Sequence, residues 1–245
     1  MKKGVGIVAN FTRMASSDAL EEKLDRTWRL EDAHHLHTTA KGPSANDRRV
    51  LEFIEGSLKR LECCGYGAAI PFKEKDPGLV DNRGQAISAL LAKKKKFLRN
   101  PEYKNEYAEA INWYELEHYA EEVPDSDLEQ TAKPAFYLTH NPVFHPRKKM
   151  RVVFNAALPF RGRSFNDAVR DCPDLLETII GILIRWREGV VGVTADIKQF
   201  FNRVSVPPSQ SDYTRYVWFN DEEMNDIKHM RMISRFFGDK SAQAG

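Results

Sequence analysis

VVGVTADIKQFFNRVSVPP, residues 190–208, places an aspartate near the end of an apolar run. Val191–Ile197 is rich in β-branched residues and carries one charge, the texture of a strand covered on both faces. Just before it, Cys172, Pro173 and Asp174 open DLLETIIGILIRWR, residues 174–187, which reads as a very apolar helix ending near Gly189. That helix is expected to pack on one face of the strand, with Asp196 at the strand's open end. Residues 213–219 and 229–233 read as two more strands.

Further toward the N-terminus, residues 135–139 and 150–154 are β-branched and aromatic, and they predict strands as well. The first 120 residues read as helices joined by polar loops. Leu20, Leu24 and Trp28 form a stripe after Ser17 or Asp18, and Val50, Ile54, Leu58 and Leu61 form another after Asn46 and Asp47. Residues 82–98 predict a helix with Ile87, Leu90, Leu91, Phe97 and Leu98 as its apolar members, and part of the Lys93–Lys96 run must be solvated. Asn100-Pro101 is a helix start, with Asn as cap and Pro in the first turn. Tyr103, Tyr107, Ile111, Tyr114 and His118 then follow at spacings of three and four, a stripe that reads as core.

Helices followed by mixed strands and helices predict an α+β fold, a helical leader over residues 1–125 and a second region over 126–245. The acid- and proline-bearing stretch EEVPDSDLEQTAKP marks the boundary. Charge divides there too. Residues 101–130 carry one Lys against ten Asp and Glu, whereas Lys133, Arg147, Lys148, Lys149, Arg151, Arg161 and Arg163 in residues 131–164 meet no acid at all. Such asymmetry suggests a polyanionic partner, and a solvated basic face is the plainer alternative.

At 42% hydrophobic and 29% charged residues, the chain belongs with globular proteins rather than disordered ones. No stretch approaches the roughly 20 apolar residues of a membrane span, and the apolar run after Met1 is too short for a signal peptide. Cys63, Cys64 and Cys172 are odd in number and make no disulfide framework, which predicts a reducing, intracellular compartment. His34, His35 and His37 lack the second ligand pair of a zinc site and read as a polar loop.

Asp196 carries the chemistry. A carboxylate at the end of a strand suits a hard cation such as Mg²⁺, which takes carboxylate and phosphate oxygens, although a turn cap uses the same residue type. Two-metal phosphoryl transfer needs several converging carboxylates.

The ordered pieces YLTHNPVFHP, MRVVFNAA, RSFNDAVRDCPDLLETIIGILIRWR, VVGVTADIKQFFNRVSVPP and RYVWF, from Phe136 to Trp218, resemble reverse transcriptases of BEL/Pao long-terminal-repeat retrotransposons. DPGLVDNRGQAISALLAKKKKFLRNPEYKNEYAEAINWYELEHYAEEVP is similar to the helical segment before the fingers in those polyproteins. The resemblance implies the fingers and a truncated palm of a right-hand polymerase. It implies template-directed deoxynucleotidyl transfer with Mg²⁺, in a cytoplasmic retroelement particle. The implied partners are RNA or DNA template-primer, deoxynucleotides and the remaining polyprotein domains.

By that resemblance, Asp196 is the first catalytic aspartate and a metal ligand, and the Ile197 carbonyl lies beside the nucleotide-associated metal. Gln199 and Phe200 fall where backbone N–H groups approach the triphosphate. Phe201 matches the aromatic gate that lies under the sugar and leaves no room for a 2′-hydroxyl, with Phe200 as the alternative exposed ring. Arg151 matches a fingers arginine that stacks near the base and contacts the triphosphate, a double task suited to a planar guanidinium. Lys148 and Lys149 are the candidate phosphate lysines. Asn155 stands where the family usually has Asp, and Asn166-Asp167 matches a short polar turn. Phe237, Gly238 and Ser241 match a segment over the template-primer, but the residues after Ser241 leave the pattern.

No Asp-Asp pair occurs anywhere, so the Tyr-x-Asp-Asp hairpin of the family is missing, as are thumb, ribonuclease H, integrase and protease signatures. The expectation is a fragment inactive by itself. The alternative is a non-catalytic nucleic-acid-binding remnant of a retroelement polyprotein.

Overall fold

Asn100 separates two helices that share one buried seam. The first, α2 (Arg83–Arg99), buries Ala86, Leu90 and Phe97; the second, α3 (Pro101–Leu116), buries Tyr103, Tyr107, Ile111 and Tyr114. The Asn100 side chain accepts from the Tyr103 N–H, and Pro101 occupies the first turn, where no amide is needed. His118 lies past the helix with φ 55°, outside the stripe expected of it. In the computed structural model, the described residues are 7–13, 44–62, 65–130, 134–145, 148–173, 179–188 and 190–241. The Leu20–Trp28 stripe, the His34–His37 cluster, and Cys63 and Cys64 lie outside them.

The remaining elements make the fold α+β. They are β1 (Ile7–Arg13), α1 (Ala45–Ser57), β2 (Lys59–Leu61), β3 (Gly65–Gly67), β4 (Ala120–Glu122), α4 (Asp125–Glu129), β5 (Thr139–His145) and β6 (Lys148–Asn155). After them come α5 (Phe165–Ala168), α6 (Ile179–Trp186), β7 (Val191–Ile197), β8 (Val204–Ser205), β9 (Arg215–Phe219) and β10 (Ile227–Met232). The strands form small sheets ordered β4-β10-β9, β2-β3-β8, β5-β6 and β1-β7.

Strand β9 is buried along its whole length and receives the two helices. Tyr107 stacks on Trp218 at 5.3 Å and 10°, and Phe97 meets the Trp218 edge at 5.8 Å. Phe154 of β6 closes the same core against Tyr114, Tyr216 and Phe236. The core is therefore continuous across residue 125: α2 and α3 from one side of it pack on β6 and β9 from the other. Strand β4 likewise pairs with β10.

Several expectations need correction. Val191–Ile197 is a strand, but not a buried one: Val191 is 64% and Val193 52% exposed, and only Gly192 is buried. Its partner is β1, antiparallel in a two-stranded ribbon, and six of its seven residues are exposed. Trp186 leans on Gly192, where an added Cβ would lie 2.3 Å from the indole, yet helix α6 buries none of its own residues. The apolar run told of strand formation and not of cover. Residues 135–138 are not strand; they run beside β9 through a single Tyr137–Arg215 bridge, and the strand begins at Thr139. Helix α1 stops at Ser57, with Leu58 as its cap and Leu61 in β2. Tyr213 and Thr214 belong to a 3-10 turn preceding β9. Among the described residues no helix is long and apolar enough to cross a membrane.

Candidate nucleic-acid interface

The β5–β6 hairpin pairs Thr139 with Asn155 and Val143 with Arg151, then slips by a bulge so that His145 faces Lys148. Alternation along β6 turns Val152 and Phe154 into the core and leaves Lys149 and Arg151 outside. Helix α3 runs along this hairpin. Tyr103 stacks on Phe144 near the hairpin tip, and the Tyr114 hydroxyl donates to the Val152 carbonyl nearer its base, at 3.2 Å. Between them the Lys149 ammonium donates to Glu109 at 2.5 Å, and this contact raises the lysine pKa. Arg151 is exposed and has no ion-pair partner among the described residues. Asn155 accepts from the Ala157 N–H at 3.2 Å and so caps the end of the strand.

Asp196 is exposed on β7, opposite Val8, and Ile197 lies opposite Ile7. No ion pair or hydrogen bond among the described residues joins Asp196 to Lys149 or Arg151, and the Lys148 side chain lies outside the description. No group of three or more His, Cys, Asp or Glu among the described residues could hold a metal ion. One carboxylate and one strand carbonyl do not fit a resident Mg²⁺, which demands an octahedron of oxygens. Past the strand the chain turns sharply: Gln199 has φ 58°, a left-handed conformation that costs a non-glycine residue about 1–2 kcal/mol. Phe201 then opens a 3-10 turn.

That turn brings together residues far apart in sequence. The Arg235 N–H donates to the Val204 carbonyl, and Asn202 donates to the Arg235 carbonyl at 3.0 Å. The Phe201 ring consequently meets Phe237 at 5.9 Å and Phe200 at 5.7 Å, with Phe237 55% exposed. Gly238 follows at φ 122°, and an added Cβ there would lie 2.1 Å from the Phe154 carbonyl oxygen. Asn166 secures this segment from the other side, donating to the Gly238 carbonyl and accepting from the Lys240 N–H. Ser241 is buried, its hydroxyl donating to Asp239, whose other oxygen pairs with buried Arg235 at 2.6 Å. Asn166-Asp167 lies in α5, whose capping box joins Ser164 to Asp167 and lowers the Asp167 pKa. Thus Phe200, Phe201, Phe237 and Gly238 form one neighbourhood, and the hairpin cations form another around α3.

Sequence reasoning missed the most constrained charges. Arg215 is 1% exposed, and it donates to Asp212 through Nε at 3.0 Å and Nη2 at 2.8 Å. Arg231 joins the same carboxylate at 3.1 Å and also reaches Asp127 and Glu121. Burial pulls the Arg215 pKa down, but its bonds to Tyr137 and Asp212 outweigh this and hold it above the ordinary value. The i, i+3 spacing of Asp212 and Arg215, and the i, i+4 spacing of Arg235 and Asp239, were the available signals.

No protein-family model matches the chain, and no curated protein matches it.

Proposed function

We propose that this chain carries the fingers and first palm segment of an RNA-directed DNA polymerase of the BEL/Pao retrotransposon class. The observation that supports this reading best is the Phe201–Phe237 contact. Two segments that the family resemblance assigns separately, one to the incoming nucleotide and one to the template-primer, meet through their aromatic rings. In this reading Lys148, Lys149 and Arg151 neutralise phosphates by charge-assisted hydrogen bonds. Phe201 offers a ring face to the sugar and excludes a 2′-hydroxyl. Phe237, Gly238 and Ser241 lie over the new base pair, and Gln199 and Phe200 turn backbone amides toward the triphosphate. Asp196 supplies one carboxylate on an exposed strand. In this reading Asp196 and the Ile197 carbonyl would be two of the oxygens around a Mg²⁺, and they would not suffice alone to hold it. The partners are template-primer, deoxynucleotides and other polyprotein domains, within a cytoplasmic particle.

A second reading, a nucleic-acid-binding module without catalysis, rests on the outward cations of the hairpin alone. The two separate in a chimera that joins the chain to a palm remainder bearing Tyr-x-Asp-Asp and a thumb. The first reading expects deoxynucleotide incorporation that Asp196→Asn abolishes and Phe201→Val opens to ribonucleotides. Incorporation indifferent to Asp196→Asn refutes the role given to that carboxylate. A chimera that grips template-primer and incorporates nothing favours the second reading.

A further inference from the structure

The acidic and basic blocks are neighbours in space as well as in sequence. Helix α3 follows the hairpin from the Phe144–Tyr103 stack to the Val152–Tyr114 hydrogen bond, and the Lys149–Glu109 pair lies between these contacts. Glu102, Glu106 and Glu109 succeed one another at spacings of four and three, which places them on one stripe of the helix, and all three are exposed. Lys149 and Arg151 are two residues apart and share the outer face of β6. The ion pair is itself open to water, with its side chains 85% and 67% exposed.

From this geometry we infer that the glutamate stripe of α3 is an internal counter-charge that competes with phosphate for the cationic face of the hairpin. The inference rests on the reading above, that this face contacts nucleic acid. Carboxylate and phosphate oxygens accept from the same kind of N–H donor, so Glu109 holds one of the three ammonium protons of Lys149 and offsets its charge toward an approaching phosphate. Because the pair is solvent-exposed, an exchange of carboxylate for phosphate needs no backbone movement. Glu106 and Glu102 continue the negative stripe away from Glu109 and repel an approaching polyanion within about 10 Å at moderate salt. The glutamates therefore weaken binding at this face by a modest factor, which matters less for a template-primer that offers many phosphates than for a ligand that offers one.

The test uses the full chain and a fluorescein-labelled oligothymidine strand, followed by anisotropy at low salt and then at rising salt. Glu109→Gln should tighten binding roughly two- to fivefold, the range expected for removing one exposed pair. It should also steepen the salt dependence, because Lys149 is then free to displace counterions. In a Lys149→Ala background the same Glu109→Gln change should tighten binding clearly less, since it then relieves only the general repulsion of the stripe. Equal tightening in both backgrounds overturns the inference, because Glu109 would then act only through net charge. If Lys149→Ala and Arg151→Ala weaken binding while Glu109→Gln leaves it unchanged, the competition is refuted and the hairpin reading survives. If Lys149→Ala with Arg151→Ala binds as tightly as wild type, the hairpin reading itself fails.

Discussion

Asp212→Ala should be among the most damaging single changes in this chain. Its Oδ1 accepts three hydrogen bonds, two from Arg215 and one from Arg231. Arg231 tolerates the loss, since Glu121 and Asp127 remain at 2.7 and 2.9 Å. Arg215 does not. At 1% exposure its remaining partners among the described residues would be the Tyr137 hydroxyl at 3.5 Å, the Tyr137 ring and the Asp127 carbonyl at 3.4 Å, none of them charged. A guanidinium buried without its counter-ion typically costs about 3–5 kcal/mol. Glu121→Ala, which removes a carboxylate 45% exposed at the edge of the same network, should cost about 1 kcal/mol or less. Replacing both partners, Asp212→Leu with Arg215→Met, should recover most of the loss, because the charge and its counter-ion then leave together. Urea unfolding followed by tryptophan fluorescence reads all three, with Trp218 in the same strand as Arg215. At unchanged m, the midpoint shifts give the ranking. An Asp212→Ala loss no larger than that of Glu121→Ala would refute the claim that Arg215 depends on this carboxylate.

Gly238→Ala should destabilise by roughly 3 kcal/mol or more, from left-handed backbone strain and the overlap with the Phe154 carbonyl. Gly56→Ala in helix α1, where an added Cβ meets nothing within 4 Å, should instead stabilise by about 1 kcal/mol; opposite signs in urea midpoints check both, and equal shifts refute the packing argument. Stability should also fall between pH 6.5 and about 4, because burial, aided by Lys93 and opposed by the Val217 hydrogen bond, lowers the His140 pKa to about 4. The unfolded chain takes up that proton first, so the contribution is complete above pH 6.5 and is lost through the window, about 3 kcal/mol in all. A His140→Gln chain whose urea midpoint falls with pH as steeply as wild type would remove His140 as the cause.

What was legible in the sequence was whatever local chemistry determines. Asn100-Pro101 announces a helix start because the cap and the missing amide act within one turn. The Tyr103, Tyr107, Ile111 and Tyr114 stripe announces a buried face because helical periodicity makes those rings coincide. Strand β7 was half legible: Val191–Ile197 has β-branched texture, but whether another layer covers a strand depends on distant segments, and the structure pairs it with Ile7–Arg13. The neighbourhood of Phe201 and Phe237 was hidden for the same reason. It depends on residues 204–206 running beside 233–235, a pairing that no spacing in either segment foretells. Arg215 was hidden more deeply, since an arginine opening RYVWF looks like a surface charge until Asp212 is seen bonded to it.

The charge blocks show where this limit bears on function. In sequence, ten acids before a run of seven unopposed cations point outward, to a polyanionic partner. In the fold, part of that asymmetry is satisfied internally: Glu109 meets Lys149, Glu115 meets Lys228, and Glu121 and Asp127 meet Arg231. These pairs differ in kind. Arg231 lies largely buried on the central strand of its sheet, and its pairs join β4 and α4 to β10, so its charge serves folding and is withdrawn from any ligand. The Lys149 pair is open to water, contributes little to stability, and can be exchanged for another anion. Net charge along a chain cannot separate the two, because it counts a structural arginine and an exchangeable lysine alike. Burial separates them: among the described cations of the basic block Arg163 is half-buried, whereas Lys149, Arg151 and Arg161 stay open to a polyanion, and Lys149 is already engaged by a glutamate.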